Sequence, residues 1–335
     1  MGAPGLPVAS LPAMLRALVG AALLAVGCAT GDHIAAPSSL PGDLAAPVDN
    51  AAASLLASPA LPASSPEGAE PAGEARPGSP PCGAGSLPPL TAPSPFIALP
   101  VERHHPAVVS LPLGATSPRP VLVVAHGAGD RPEWQCGVWR EIVQDRAFVL
   151  CVRGFATNPY VPERFTGYFY TDHHALGREI GLALASLRER FPEHADMTAP
   201  AYAGFSQGAI QGAMLLPGHP ARFSRAALVE GGYGFFQEWN IPVAQRFQRR
   251  GGQRVLLACG RVRCVEQARV SAFYMRRAGL EAEVIHAEGA GHSYGGRMKE
   301  AVHRAFSWVV EGDERWCPED AGADGADGAD GADER

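Results

Sequence analysis

Between residues 96 and 315, short continuous apolar runs alternate with longer stretches in which apolar residues recur every three or four positions. Val121–Ala125 (VLVVA) is apolar throughout, the pattern of a strand buried on both faces. Phe148–Val152, Pro200–Gly204, Ala226–Val229, Val255–Ala258 and Ala282–Ile285 repeat that pattern. Between them, helical periodicity runs over His174–Phe191, Ser206–Leu216, Pro242–Arg249, Val265–Ala278 and Arg297–Val310. Asp172, with Thr171 beside it, is placed to cap the first of these helices. Phe96–Val101 and Ala107–Leu113 supply two leading antiparallel strands. Strand–helix alternation with apolar strands predicts the α/β class, a mostly parallel central sheet with helices on both faces.

The pattern stops on either side of this region. Arg16 is the only charge ahead of residue 32, and it precedes an apolar run, Ala17 to Gly27. That run is too short for a stop-transfer helix and suits the core of an export signal. It ends Leu23-Leu24-Ala25-Val26-Gly27-Cys28, which resembles a bacterial lipobox, where a small residue precedes a cysteine that receives lipid. Ala25 stands where leucine is usual. Residues 1–28 are therefore expected to be a signal peptide with Cys28 as the lipidation site, which anchors an exported protein at the cell envelope. Without the lipid it would be periplasmic or secreted. Residues 29–95 carry Pro, Ala, Ser and Gly without hydrophobic period, as a disordered tether does. Beyond the domain at 96–315, residues 316–335 include four copies of Gly-Ala-Asp from Gly322 to Asp333 and are expected to form a solvated acidic tail.

Composition changes the picture in two respects. The chain has a formal charge of −6, yet the acidic excess lies in the tails, and residues 96–315 carry a balance of +4. A balance so mild and scattered excludes nucleic acid as an expected partner. Of seven cysteines, six remain once Cys28 is set aside. An even number in an exported chain points to disulfides, with the pairing left open. No C-x-x-C spacing supports structural zinc.

The strongest chemical signal is Gly204-Phe205-Ser206-Gln207-Gly208, a G-x-S-x-G sequence with a strand ending at Gly204 and a helix starting at Ser206. A sharp turn there thrusts the serine into a cleft, and the helix N-terminus turns free N–H groups toward developing negative charge. Upstream, His126-Gly127-Ala128-Gly129-Asp130 ends an earlier strand, and its Gly-rich turn brings a second N–H to join that of Gln207 in an oxyanion hole. His126 then serves the loop's structure. Downstream, Gly291-His292-Ser293-Tyr294 follows the last strand, where His292 reaches the serine as a general base. His104-His105 and Asp172-His173-His174 lack metal-ligand spacing, so no metal is expected. Nothing resembles a dinucleotide fingerprint, a Walker A sequence or a cofactor-lysine context, so no cofactor is expected either.

Taken together, HGAGD, GFSQG and GHSYG resemble the α/β-hydrolase superfamily over about residues 119–312, and within it the phospholipase/carboxylesterase branch that includes acyl-protein thioesterases. The resemblance implies an α/β-hydrolase fold and a serine esterase that cleaves a small-molecule carboxylic ester or thioester through an acyl-enzyme on Ser206. His292 would be the base, and the N–H groups of Ala128 and Gln207 the oxyanion hole. One position departs from the branch. Its triad acid stands soon after the strand that here is Val255–Ala258, but this chain reads Cys259-Gly260-Arg261-Val262-Arg263-Cys264, with Arg263 in the acid's place. Glu230, followed by Gly231-Gly232 after the preceding strand, is the first substitute, and Glu266 the second. The competing role for Glu230 is a salt bridge, with Arg263 as a candidate partner. Arg263 also motivates the alternative function, a catalytically silent binding lipoprotein with this fold. Trp134, Trp139, Tyr168–Tyr170, Tyr233, Phe235, Phe236 and Trp239 lie in segments after strands and are candidates for an apolar acyl pocket.

Overall fold

A computed structural model describes residues 85–316 apart from 220, 222 and 235–237. The signal peptide, Cys28, the linker up to residue 84, Cys82, Cys317, the Gly-Ala-Asp tail, Phe235 and Phe236 lie outside the described residues.

The strands are β1 (Phe96–Leu99), β2 (Ala107–Ser110), β3 (Arg119–Ala125), β4 (Phe148–Cys151), β5 (Phe155–Ala156), β6 (Tyr168–Phe169), β7 (Ala195–Phe205), β8 (Arg225–Val229), β9 (Arg254–Cys259) and β10 (Glu281–His286). The helices are α1 (Pro132–Val143), α2 (His173–Arg190), α3 (Gln207–Leu215), α4 (Ile241–Arg249), α5 (Val262–Arg277) and α6 (Arg297–Val310). Eight strands form one sheet in the order β1-β2-β4-β3-β7-β8-β9-β10, while β5 and β6 make a separate antiparallel pair. β1 and β2, and β2 and β4, run antiparallel. Every pairing from β4 through β3 to β10 is parallel. This is the α/β-hydrolase fold that the motifs imply.

The apolar runs are explained by two cores, one on each face of the sheet. Along β3, Val121, Val123 and Ala125 enter one core, and Leu122 and Val124 enter the other, as the two-residue period of a strand requires. The first core takes Leu176 and Ile180 of α2, Ala209 and Ala213 of α3, Phe247 of α4, and Ala268 and Ala272 of α5. The second takes Cys136, Trp139 and Ile142 of α1 with Met298, Val302 and Phe306 of α6. Each helix thus buries residues three or four apart. Asp172 does cap α2, accepting from the N–H groups of His174 and Ala175 at 2.8 Å each.

The structure departs from the sequence reading at several places. α1 is an additional helix that starts with Pro132 in its first turn and ends in a buried Ile142-Val143 pair. α5 begins at Val262, three residues ahead of the spacing-based start. Residues 85–95, assigned to the linker, lie along the domain. Leu87 and Leu90 donate to the carbonyls of Thr116 and Ala115 at 2.9 and 3.0 Å, and the Leu90 side chain is buried in the first core. Trp316, assigned to the tail, is buried against Phe306. Among the described residues two disulfides close, Cys136–Cys151 between α1 and β4, and Cys259–Cys264 between the end of β9 and the first turn of α5. Among the described residues, no helix is long and apolar enough to cross a membrane.

Candidate active site

The carboxyl edge of β7, β8, β9 and β10 is where the chain turns out of the sheet, and the candidate residues gather there. Ser206 follows β7 directly, with φ 50° and ψ −112°. A serine adopts a positive φ only when its surroundings impose it. Here the Ser206 N–H donates to the Val229 carbonyl at 2.9 Å, and Gly208 donates to His126 at 3.0 Å. A Cβ on Gly208 would run into the Ala125 carbonyl, and one on Gly204 would press on the backbone of Ala209. Both glycines of the pentapeptide are thus required by close backbone approach, and they turn the hydroxyl outward.

Glu230 follows β8 in the same way, with φ 52° and its side chain fully buried. Its Oε1 accepts the Gly260 N–H at 2.5 Å, and its Oε2 lies 3.0 Å from His292 Nδ1. The other ring nitrogen, Nε2, lies 2.9 Å from Ser206 Oγ. The imidazole is packed against the Phe205 ring, with centroids 5.0 Å apart, and 42% of its side chain is open to solvent. Serine, histidine and glutamate therefore form one continuous chain of hydrogen bonds. Glu266 is exposed on α5 and takes no part in it.

Arg261 adds a feature that the sequence did not single out. Its Nε donates to Glu230 Oε2 at 2.7 Å, and Nη2 lies 2.7 Å from the same oxygen and 3.0 Å from His292 Nδ1. The Glu230 salt bridge is thus made with Arg261 and not with Arg263. A guanidinium only donates and a carboxylate only accepts, so the network admits two tautomers of His292. With the proton on Nδ1, the ring donates to Glu230 and offers a lone pair at Nε2 to the Ser206 hydroxyl. With Nη2 donating to Nδ1, the proton sits on Nε2 and the ring has no lone pair for the serine. Glu230 favours the first arrangement and Arg261 the second.

Gln207 opens α3, so its backbone N–H has no partner within the helix. Its side chain is tied to Tyr170, accepting from that residue's N–H at 2.9 Å and donating to its carbonyl at 3.0 Å. Ala128 lies exposed in the turn after β3, between Gly127, whose carbonyl accepts from Asp130, and Gly129, which donates to Tyr168. His126 is buried, with Nδ1 and Nε2 each 2.7 Å from a carbonyl, those of Gly127 and Arg153. It belongs to the loop. Tyr294 donates to Asp130 at 3.3 Å and stacks edge-on with Phe205. Burial and the nearby Asp130 carboxylate push its phenol well above the ordinary tyrosine range.

A cavity of about 550 Å³ opens beside Ser206 and is lined in part by His292, Tyr233, Arg261, Arg263 and Gln267. Of the described aromatic residues considered for an acyl pocket, only Tyr233 lies on this wall. Trp139, Tyr170 and Trp239 are buried in the cores, Tyr168 is buried beside Arg153, and Trp134 is exposed on α1. They follow strands in the chain, but the buried rings pack inward beneath the loops. Among the described residues, the only cluster with metal-ligand geometry is Glu230 with Cys259 and Cys264, whose two sulfurs are bonded to each other. That chemistry does not fit a metal ion.

No family model matches the chain, and no curated protein matches it in sequence. Solved structures do align with it. A Bacillus cereus carboxylesterase is 19% identical over 62% of this chain and 95% of its own, with a TM-score of 0.45. S-formylglutathione hydrolase (FrmB) from Staphylococcus aureus is 15% identical over 64% and 96%, with a TM-score of 0.46. The acylaminoacyl peptidase of Pyrococcus horikoshii is 14% identical over 67% of this chain and 42% of its own, with a TM-score of 0.48.

Proposed function

We propose that the protein is an exported serine hydrolase that cleaves carboxylic ester or thioester bonds. Ser206 is its nucleophile, His292 its general base and Glu230 its triad acid. Lipid on Cys28 holds it at the cell envelope. The observation that carries this reading is the continuous chain of hydrogen bonds from Ser206 through His292 to a buried carboxylate, 2.9 and 3.0 Å long.

The chemistry follows from that chain. As Ser206 Oγ attacks the carbonyl carbon, His292 Nε2 takes its proton. Glu230 holds the resulting imidazolium through Nδ1–H. The carbonyl oxygen becomes an oxyanion that accepts from the N–H groups of Ala128 and Gln207. One such donor is worth about 3 kcal/mol in the transition state. Collapse returns the proton from Nε2 to the departing alkoxide or thiolate and leaves an acyl group on Ser206. Water then repeats the sequence, giving its proton to His292 and releasing a carboxylic acid. The net reaction is ester plus water to acid plus alcohol or thiol.

A silent binding fold is the second reading, and the Arg261 contact with His292 Nδ1 favours it, because it supports the unproductive tautomer. A fluorophosphonate probe separates the two. An activated serine is labelled, and peptide mapping puts the adduct on Ser206. p-Nitrophenyl esters are then hydrolysed by the wild type and not by folded Ser206→Ala. A wild type that stays unlabelled and inactive on the ester panel overturns the hydrolase reading.

A further inference from the structure

The cavity beside Ser206 is unusual in its charge. Arg261 and Arg263 both line it. The two residues line it from the β9–α5 junction, one just ahead of α5 and one in its first turn. Arg261 is half-exposed, at 51%, and is shared with Glu230. Arg263 is exposed and forms no ion pair among the described residues, Glu266 on the same helix included. Two carboxylates also line the cavity, and both are sunk into its floor. Glu230 is fully buried and engaged with Gly260, Arg261 and His292. Glu238 is buried and has a partner of its own. Among the described residues, what the cavity offers to solvent is therefore cationic, with Arg263 in no ion pair.

A guanidinium presents a planar fork of donors that suits a carboxylate or a phosphate, and a wall bearing two of them disfavours a purely apolar acyl chain. We infer that this cavity binds an anionic oxygen group, a carboxylate or a phosphate, carried on the ester that Ser206 attacks, with Arg263 and Arg261 as its partners. The inference rests on the hydrolase reading and narrows it to esters with a free anionic group on the acyl or alcohol side. It also gives Arg261 a place to go. When its fork turns to the bound anion, Nη2 leaves His292 Nδ1, and the ring is free to donate to Glu230 and accept from Ser206. The anion that identifies the substrate would thus also set the productive tautomer.

The test has two arms. In the first, mono-p-nitrophenyl glutarate is compared with p-nitrophenyl valerate, a neutral ester of similar length. The wild type is expected to prefer the anionic ester by at least about tenfold in kcat/KM, the size of one charge-assisted hydrogen bond. Arg263→Gln is expected to bring that ratio close to one, and Arg263→Glu below one. A wild-type ratio near or below one, or a ratio unchanged in Arg263→Gln, overturns the proposal. In the second arm, calorimetry on folded Ser206→Ala measures binding of monomethyl glutarate and of inorganic phosphate, which tells the two anions apart. Arg263→Gln in that background is expected to weaken binding of the preferred anion about tenfold. Binding that depends on Arg263 without turnover of either ester sinks the hydrolase reading and keeps the anion site. Turnover of both esters without anion binding does the reverse.

Discussion

Replacing Glu230 by glutamine removes one charge and almost no volume, and the surroundings of the side chain determine the effect. The glutamine Oε1 can keep accepting the Gly260 N–H, now held at 2.5 Å, so the turn after β8 stays closed. Its other end becomes an NH₂ group facing His292 Nδ1 and Arg261, where Oε2 had accepted from both. That NH₂ and the guanidinium would then both donate toward Nδ1, and the proton would move to Nε2. The ring loses the lone pair it presents to Ser206 Oγ. Loss of the correct tautomer in a triad costs on the order of 10⁴ in turnover, or about 5.4 kcal/mol of transition-state stabilisation. The cost to stability is far smaller. The lost partner, Arg261, is half-exposed, and water takes over its charge for about 1 kcal/mol or less. The assay is turnover of an activated ester, with circular dichroism melting as the control. Glu266→Gln, on an exposed face of α5, should stay within about twofold of the wild type. A folded Glu230→Gln protein that retains more than about a tenth of wild-type turnover would refute the reasoning. A loss in Glu266→Gln instead would move the acid to α5.

Two further outcomes are expected. Mass spectrometry of the mature protein should find its N-terminus at Cys28 carrying lipid, and an unmodified Cys28 or cleavage elsewhere would make the protein soluble after export. Asp313 sits buried between Arg315, at 2.6 Å, and Arg225, at 3.3 Å. Burial pushes its carboxyl up, but the two guanidiniums outweigh that and hold it below the ordinary value of 3.8. A depressed carboxyl contributes stability above its unfolded pKa and loses it as pH falls through the folded one. Asp313→Asn should therefore cost about 3 kcal/mol near pH 7, and the gap in melting temperature should narrow below about pH 4. A gap independent of pH would show that the charge is not what Asp313 contributes.

The fold was legible because its strands are buried on both faces and its helices on one. VLVVA, FVLCV and VLLA have no other comfortable state, and α6 was readable over its whole length from the four-residue spacing of Met298, Val302 and Phe306. α1 escaped because Gly137 and the charged Arg140-Glu141 interrupt its interior. The spacing of Cys136, Trp139 and Ile142, behind a proline that suits a first turn, was the available signal. Leu90 shows the opposite failure. A single apolar side chain in a Pro-rich stretch carries no period, yet it finds the core through two backbone hydrogen bonds, from residues 87 and 90 to residues 116 and 115. At the site, the residues that leave strand ends were readable from local turn chemistry, which fixes where Ser206, Glu230 and His292 emerge. Arg261 was not, because its contact with both Glu230 and His292 depends on how the chain rounds the end of β9. The Cys259–Cys264 bond closes that turn, and cysteine counting alone does not pair those sulfurs.

Five described residues other than glycine hold a positive φ, and two of them are Ser206 and Glu230. The backbone at both positions would be more at ease with glycine, by roughly a kilocalorie per mole each. Substituting glycine at either should therefore raise the melting temperature unless the lost hydrogen bonds outweigh the relief. In the economy of this fold, a hydroxyl and a carboxylate occupy two of the sites least suited to bear a side chain, and they are the two joined through one imidazole. Arg103, Gln144 and Ala199 bear the same backbone cost elsewhere in the domain, and at Ser206 and Glu230 that cost is met where the chain turns out of the sheet and brings both side chains to one ring.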